Sequence, residues 1–166
     1  MRIVIVHDTV FGNTAEIASA IARGAGALGE VSALSVREAA DLDPTTLDLL
    51  IVGSPTRGFA PTPSISEFLG GLARVPRQAA AFDTRLDPES IEPAPLRWVI
   101  NVGGYAADRI AASLREKGYT LVEPKGDFMV EGTEGPLKAG ELERAEAWGR
   151  SVADLAEAAI HSSRPG

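Results

Sequence analysis

The sequence contains no cysteine, which excludes disulfide bonds, Cys–zinc sites and thiol chemistry. It has no apolar run long enough to span a bilayer, and nothing after Met1 fits a signal peptide, so we expect a cytoplasmic protein. Basic residues are the minority, with 16 Lys and Arg against 23 Asp and Glu and a formal net charge of −7. This charge argues against nucleic acid or an anionic membrane as a partner.

Several common phosphate-binding and catalytic motifs are also missing. A Walker loop needs Gly-x-x-x-x-Gly-Lys, and the chain has no such sequence. The dinucleotide fingerprint needs three spaced glycines after the first strand, and only Gly12 stands there. A phospho-receiver domain would end its third strand in an aspartate, where this chain has Gly53 and Ser54, and no Gly-x-Ser-x-Gly elbow occurs. We predict no catalytic residue and no metal-ligand set.

The most informative stretch runs from residue 2 to residue 22. Residues 3–6 form an unbroken apolar run, which is typical of a strand buried on both faces. A polar turn at residues 9–14 follows, and a helix begins at once. Asn13 is predicted to cap this helix, with Glu16 at capping-box spacing. A strand, a tight turn and a helix N-terminus form a typical anion site, because the first N–H groups of a helix lack internal partners.

The rest of the chain alternates between apolar runs and helical patterns. A length of 166 residues suits one domain, which we expect over residues 1–160, with a disordered tail at 161–166. Further strands are predicted at residues 31–36, 47–52 and 78–82, and a fifth strand in two pieces at 120–122 and 128–130. Helices are predicted after Thr62, from 106 to 117, and in a closing segment striped by Leu142, Ala145, Trp148, Val152 and Leu155.

This alternation predicts an α/β three-layer sandwich, with a parallel sheet of five strands and helices on both faces. Three of the strands are predicted to end in loops, which are the polar segments at residues 9–14, 54–59 and 83–85. Ligands of open α/β sheets bind beyond the carboxyl ends of the strands. The three polar segments are therefore the candidate binding site.

The first polar segment carries a family resemblance. Thr9, Gly12 and Thr14 match a Ser/Thr-x-x-Gly-x-Thr turn, and Ala18 and Ile21 match the helical positions behind it. This stretch resembles the FMN-phosphate loop of the flavodoxin-like family. The chain lacks the long insertion of long-chain flavodoxins, so the resemblance is to the short-chain proteins.

The resemblance implies the sheet order 2-1-3-4-5, which brings the three polar segments side by side. It places the FMN phosphate in the first segment and the flavin ring between the other two. The residues that it assigns to FMN are Thr9, Val10, Phe11, Gly12, Asn13 and Thr14, then Pro55, Thr56, Arg57, Gly58 and Phe59, and finally Asp83, Thr84 and Arg85.

The function implied is that of an FMN-binding redox protein, with electron transfer favoured by the small size and acidic composition. One alternative is an FMN-dependent reductase acting on NAD(P)H or a quinone. Another is a flavin-free interaction module, which is supported by Phe11 at a position where many flavodoxins have a hydroxyl and by the lack of an obvious aromatic pair to sandwich the ring. The expected partner is a redox protein or a small redox substrate, and a homodimer is possible.

Two further expectations concern the surroundings of the ring. Arg57 and Arg85, opposed only by Asp83, predict a less negative semiquinone–hydroquinone potential than that of a flavodoxin with carboxylates around its ring. The connection at residues 86–104, which contains Trp98, is longer than usual and is expected to shape the ring edge or a dimer contact.

Overall fold

The computed structural model describes residues 1–90 and 103–164, in which a parallel sheet lies between two layers of helices. The strands are β1 (Arg2–His7), β2 (Glu30–Ser35), β3 (Leu49–Pro55), β4 (Gln78–Leu86), β5 (Thr120–Leu121) and β6 (Gly126–Val130). The helices are α1 (Asn13–Ala25), α2 (Pro63–Gly71), α3 (Ala106–Glu116) and α4 (Glu141–Ser162).

The strand order β2-β1-β3-β4-β5 confirms the predicted topology, and every strand pair is parallel. The predicted fifth strand is two separate strands, because β5 pairs with the start of β4 and β6 pairs with its end. The sheet therefore has six strands, with β5 and β6 sharing one edge position beside β4.

Strand β4 is longer than its apolar run predicted. Asp83 pairs with Ser54 on β3 and with Asp127 on β6, and Arg85 pairs with Met129. The prediction that residues 83–85 form a loop was therefore wrong, because pairing on both sides extends the strand through polar residues. These three residues take their side-chain directions from the strand's alternation.

The alternation of β1 divides the apolar core between two faces of the sheet. Ile3 and Ile5 are fully buried in a cluster with α1 and α4. Val4 and Val6 are buried in a second cluster with α2 and α3. Each face of the sheet is thus covered, which explains why this strand reads as a continuous apolar run.

Helix α2 begins as predicted. The Thr62 hydroxyl accepts the Ile65 N–H, although at the long distance of 3.4 Å, and Pro63 occupies the first turn. Pro is favoured there because it lacks only an N–H that the helix leaves unpaired.

Helix α4 turns a different face to the core than its leucines suggested. Leu142 and Leu155 are 36% and 48% exposed, so the predicted stripe was wrong at both positions. Small residues form the surface of α4 that contacts α1. At Gly149, a Cβ would lie only 2.4 Å from the Ile21 carbonyl oxygen of α1, so no larger residue fits there. The helix continues to Ser162, two residues into the segment expected to be a tail.

The predicted accessory segment falls largely outside the described residues. Trp98 and residues 91–102 are not among them, so the ring-edge or dimer role of the segment stays a prediction. Within the described ranges, no helix combines the length and the apolar character needed to cross a membrane.

Candidate functional site

A cavity of about 260 Å³ lies at the carboxyl ends of β1, β3 and β4, beside the start of α1. Its lining includes eleven of the fourteen residues assigned to the site from the sequence. It is lined by Thr9, Val10, Phe11, Asn13, Thr14, Pro55, Thr56, Arg57, Gly58, Thr84, Arg85, Leu86, Val130 and Thr133. The three polar segments therefore meet in space, as the strand order requires.

The turn before α1 is held by its own side chains. The Thr9 hydroxyl accepts the Gly12 N–H at 2.9 Å, and Gly12 has a φ of 94°. This left-handed backbone conformation favours glycine, which has no Cβ to clash. Gly12 therefore shapes the turn without lining the cavity.

The predicted capping role of Asn13 was wrong. Gly12 is the N-cap residue, and no described side chain caps the helix. The Asn13 side chain instead donates to the Glu134 carbonyl oxygen at 3.2 Å. Because no described side chain caps the start of α1, the first N–H groups of the helix have no capping acceptor.

The hydroxyls of Thr14 and Thr84 form a buried pair on the cavity wall. Their oxygens are 2.7 Å apart, and the two residues are 1% and 4% exposed. One hydroxyl donates to the other, so the second hydroxyl keeps a hydrogen that it can donate to another group.

The second wall is the loop that follows β3. The Thr56 N–H donates to the Thr84 carbonyl oxygen, and the Thr56 hydroxyl accepts the Ala106 N–H at the start of α3. These bonds fix the loop against β4 and α3. Arg57 is exposed at the mouth, with its guanidinium carbon 5.8 Å from the centre of the Phe11 ring.

Phe59, which the sequence assigned to the FMN site, is not among the residues that line the cavity, and its role towards FMN stays a prediction. It has a φ of 67°, which is uncommon for a residue other than glycine. Its ring packs against Gly103, where a Cβ would lie 2.4 Å from a ring carbon, and its carbonyl oxygen accepts the Arg109 Nε–H. This backbone conformation directs the ring to Gly103 rather than into the cavity.

Asp83 also lies behind the cavity wall, where it is fully buried. Its two carboxylate oxygens accept the Nε–H and an Nη2–H of Arg85, each at 2.7 Å. It also accepts the Ala107 N–H of α3 at 2.9 Å. Burial of Arg85 opposes its charge, but the hydrogen bonds with Asp83 outweigh burial and raise the pKa of Arg85.

Arg85 lines the cavity while its guanidinium is bound to the buried Asp83 carboxylate. Its guanidinium carbon lies 3.5 Å from the centre of the Tyr105 ring, so the cation stacks on an aromatic face. Its Nη1 is 3.9 Å from a carboxylate oxygen of Asp127. The side chain is 13% exposed and is held in one orientation by these contacts.

The sequence did not indicate Leu86, Val130 and Thr133 as lining residues. They reach the cavity because β6 pairs with the extended end of β4, which could not be inferred from a five-strand pattern. The segment carrying Thr133 is tied down by the bond from Asn13 to Glu134 and by the ion pair between Lys138 and Asp87.

A larger groove of about 690 Å³ lies between the segment after β2 and helix α2. Asp8, Arg37, Glu67 and Phe68 are among its lining residues. None of the residues assigned to the site from the sequence lines it. Its lining has opposite charges and an apolar floor without a common chemistry, so the smaller cavity is the better candidate.

No protein-family model and no curated protein matches the sequence. Solved structures match it in three dimensions. A flavodoxin from the domain Archaea has a TM-score of 0.73 and 20% identity, covering 95% of this chain and 99% of its own. Flavodoxin 2 from Bacillus cereus has a TM-score of 0.70 and 20% identity, covering 93% and 99%.

A larger protein contains a similar domain. The flavodiiron protein from Giardia intestinalis matches with a TM-score of 0.69 and 21% identity over 99% of this chain, which spans 38% of that protein. At these identities the likeness establishes architecture. The chain has the flavodoxin-like fold.

Proposed function

We propose that the chain binds FMN noncovalently in the cavity at the ends of β1, β3 and β4, and that it carries electrons with it. The main support for this proposal is the set of hydrogen-bonding groups on one wall of the cavity. An uncapped helix start, the Thr9–Gly12 turn and the Thr14–Thr84 hydroxyl pair converge on one wall. Such a wall suits a phosphate group, which accepts several hydrogen bonds and favours the positive end of a helix.

The mouth of the cavity suits a flat apolar ring. Val10, Phe11 and Leu86 line the cavity and are among the most exposed large apolar side chains, at 48%, 45% and 36%. Exposed apolar side chains gathered around one opening are a feature of ligand sites. A flavin ring at this opening would cover them, while its phosphate occupies the helix start.

The lining residues favour binding over acid–base chemistry. Among the described residues, the lining contains no Asp, Glu or His. The chain's own residues would hold and orient the cofactor, and the bound flavin would supply the redox chemistry. This supports an electron carrier over a reductase that delivers protons to a substrate, and the partner would be a redox protein or a small redox substrate.

Isolation of the protein with its chromophore tests the proposal. We expect a yellow protein that releases FMN on denaturation, and whose bound FMN is reduced by dithionite and reoxidised without loss of cofactor. A protein with no affinity for FMN would instead support the flavin-free interaction module. Rapid reduction of the bound FMN by NAD(P)H alone would support the reductase.

A further inference from the structure

Only one partner of the Asp83–Arg85 ion pair reaches the cavity. Arg85 is a lining residue, whereas Asp83 is fully buried behind it. The Asp83 carboxylate also accepts the Ala107 N–H near the start of α3, so the positive end of a helix compensates part of its charge from behind. The pair therefore presents its cationic end to the cavity.

The alternation of β4 places this cation away from the phosphate end. The Thr84 side chain meets Thr14 of α1, on one face of the sheet. Arg85 is the next residue along the strand, so its side chain leaves from the opposite face, where Tyr105 and α3 lie. The guanidinium thus lies on the side of the cavity that continues into the loop of Thr56 and Arg57.

The guanidinium is also fixed in place. Asp83 binds two of its nitrogen atoms in a fork, and Tyr105 covers one face. A second carboxylate, that of Asp127, is half exposed at 3.9 Å and also faces Arg144 at 3.4 Å. A cation that needs no rearrangement gives its full electrostatic effect when charge develops nearby.

We propose that Arg85 is a tuning residue that favours the reduced form of the bound flavin over the oxidised form. The inference depends on the proposed FMN site. Two electrons and one proton from a reductant convert the neutral oxidised ring to an anion, and Arg85 stabilises that anion. Asp83 sets the strength of this effect, because it orients the cation and partly neutralises it.

The orientation of the pair predicts shifts of opposite sign for its two members. Arg85→Gln removes the cation and leaves the buried carboxylate, so the reduced form should lose affinity relative to the oxidised form. Asp83→Asn keeps one oxygen to accept the Ala107 N–H and the Nη2–H of Arg85, so the cation stays in place while its negative partner charge is removed, and the reduced form should gain affinity. We expect each ratio of dissociation constants to change roughly tenfold, which is about 30 mV for a two-electron couple.

Potentiometric titration of the FMN-loaded protein measures both shifts. The potential should fall in Arg85→Gln, rise in Asp83→Asn, and lie closer to wild type in Arg85→Lys, which keeps the charge. Arg115→Gln is the control, because Arg115 is an exposed arginine paired with Glu123 outside the site, and its potential should match wild type. If Arg85→Gln does not fold, Asp83→Asn and Arg85→Lys still give the sign of the effect.

Three results would overturn the inference and leave the proposed function intact. Equal potentials in wild type, Asp83→Asn and Arg85→Gln would mean that the cation does not act on the ring. Shifts in the same direction would indicate a general disturbance of the site. A loss of affinity for FMN but not for riboflavin in Arg85→Gln would make Arg85 a phosphate ligand. A wild-type protein that binds no FMN would refute the proposed function itself, and this inference with it.

Discussion

The hydroxyl pair of Thr14 and Thr84 joins α1 to β4 at the phosphate end of the proposed site. We expect Thr14→Ala to weaken FMN binding by about tenfold to a hundredfold, because a hydrogen bond to a charged group contributes roughly 1.5–3 kcal/mol. Riboflavin, which lacks the phosphate, should keep its affinity. Titration of both flavins into the apoprotein measures the difference.

Thr46→Ala is the matched control for this experiment. The Thr46 hydroxyl donates to the Asp43 carbonyl oxygen on an exposed turn, far from the cavity lining. Its loss should leave both affinities unchanged. If Thr14→Ala weakens FMN and riboflavin equally, the turn before α1 does not bind the phosphate.

Gly12 gives a prediction about stability at the same turn. A Cβ there would meet no atom within 4 Å, so the cost of Gly12→Ala comes from its φ of 94° alone. We expect the free energy of unfolding to fall by about 1–2 kcal/mol, because L-residues are strained in this region. Urea denaturation of the apoprotein measures it.

The comparison variant is Gly70→Ala, within α2. Its Cβ would also meet no atom within 4 Å, and its φ lies outside the left-handed region. Alanine is the better helix former, so this change should be neutral or stabilising by up to roughly 1 kcal/mol. Equal destabilisation by both substitutions would show that backbone conformation does not explain the need for Gly12.

At the residue scale, the sequence predicted the segments better than the roles of individual side chains. Phe59 and Asp83 were assigned to the cofactor, which stays a prediction, and the left-handed backbone of Phe59 and the buried bonds of Asp83 place both outside the cavity lining. Asn13 was assigned as a cap, yet its amide bonds a distant carbonyl group. These outcomes depend on tertiary contacts that no local pattern contains.

At the scale of elements, the Glu141 carboxylate at the start of helix α4 forms a hydrogen bond with strand β6. Glu141 accepts the Met129 N–H at 2.6 Å and is bound by the Arg144 guanidinium. Burial of Glu141 opposes its charge, but the bonds from Arg144 and Met129 outweigh burial and lower its pKa. Its stabilising effect is therefore complete above the ordinary Glu value of 4.5 and is lost as pH falls through the lower value in the folded protein.

Glu141→Gln tests this coupling of helix and strand. We expect a loss of about 1–2 kcal/mol in the free energy of unfolding at pH 7, because an ion pair and charge-assisted hydrogen bonds weaken. The difference from wild type should shrink as pH falls below the ordinary Glu value of 4.5, because wild-type Glu141 becomes protonated only below that value. Denaturation curves at several pH values measure this trend.

Glu143→Gln is the control in the same helix turn. Glu143 is exposed, and its removal should change stability by no more than about 0.5 kcal/mol at any pH. A pH dependence that is identical in wild type and Glu141→Gln would show that Glu141 does not titrate with folding.

The limits of prediction for whole elements have a physical cause. Apolar runs reveal strands through burial, so β1 and β3 were predicted close to their true positions. The end of β4 and the role of β6 depend on pairing between polar residues, such as Asp83 with Asp127, which carries no hydrophobic signal. Similarly, small residues fix the buried face of α4, while its exposed leucines gave a misleading pattern.

At the scale of the whole molecule, the arrangement of strands and helices was predictable because two rules limit how the strands can be connected. Buried parallel strands need helical crossovers, and these crossovers have one hand. Together with the sheet order implied by the family resemblance, the rules bring residues 9–14, 54–59 and 83–85 to one edge of the sheet. The structure confirms that order and encloses a cavity there.

We propose that this cavity is an FMN site that recognises the phosphate. Isothermal titration of FMN and of riboflavin into the apoprotein tests it most directly. We expect one FMN bound per chain, with an affinity at least roughly tenfold higher than that of riboflavin, since the phosphate gains charge-assisted hydrogen bonds at the start of α1. No binding of FMN, or equal affinities for the two flavins, would contradict it.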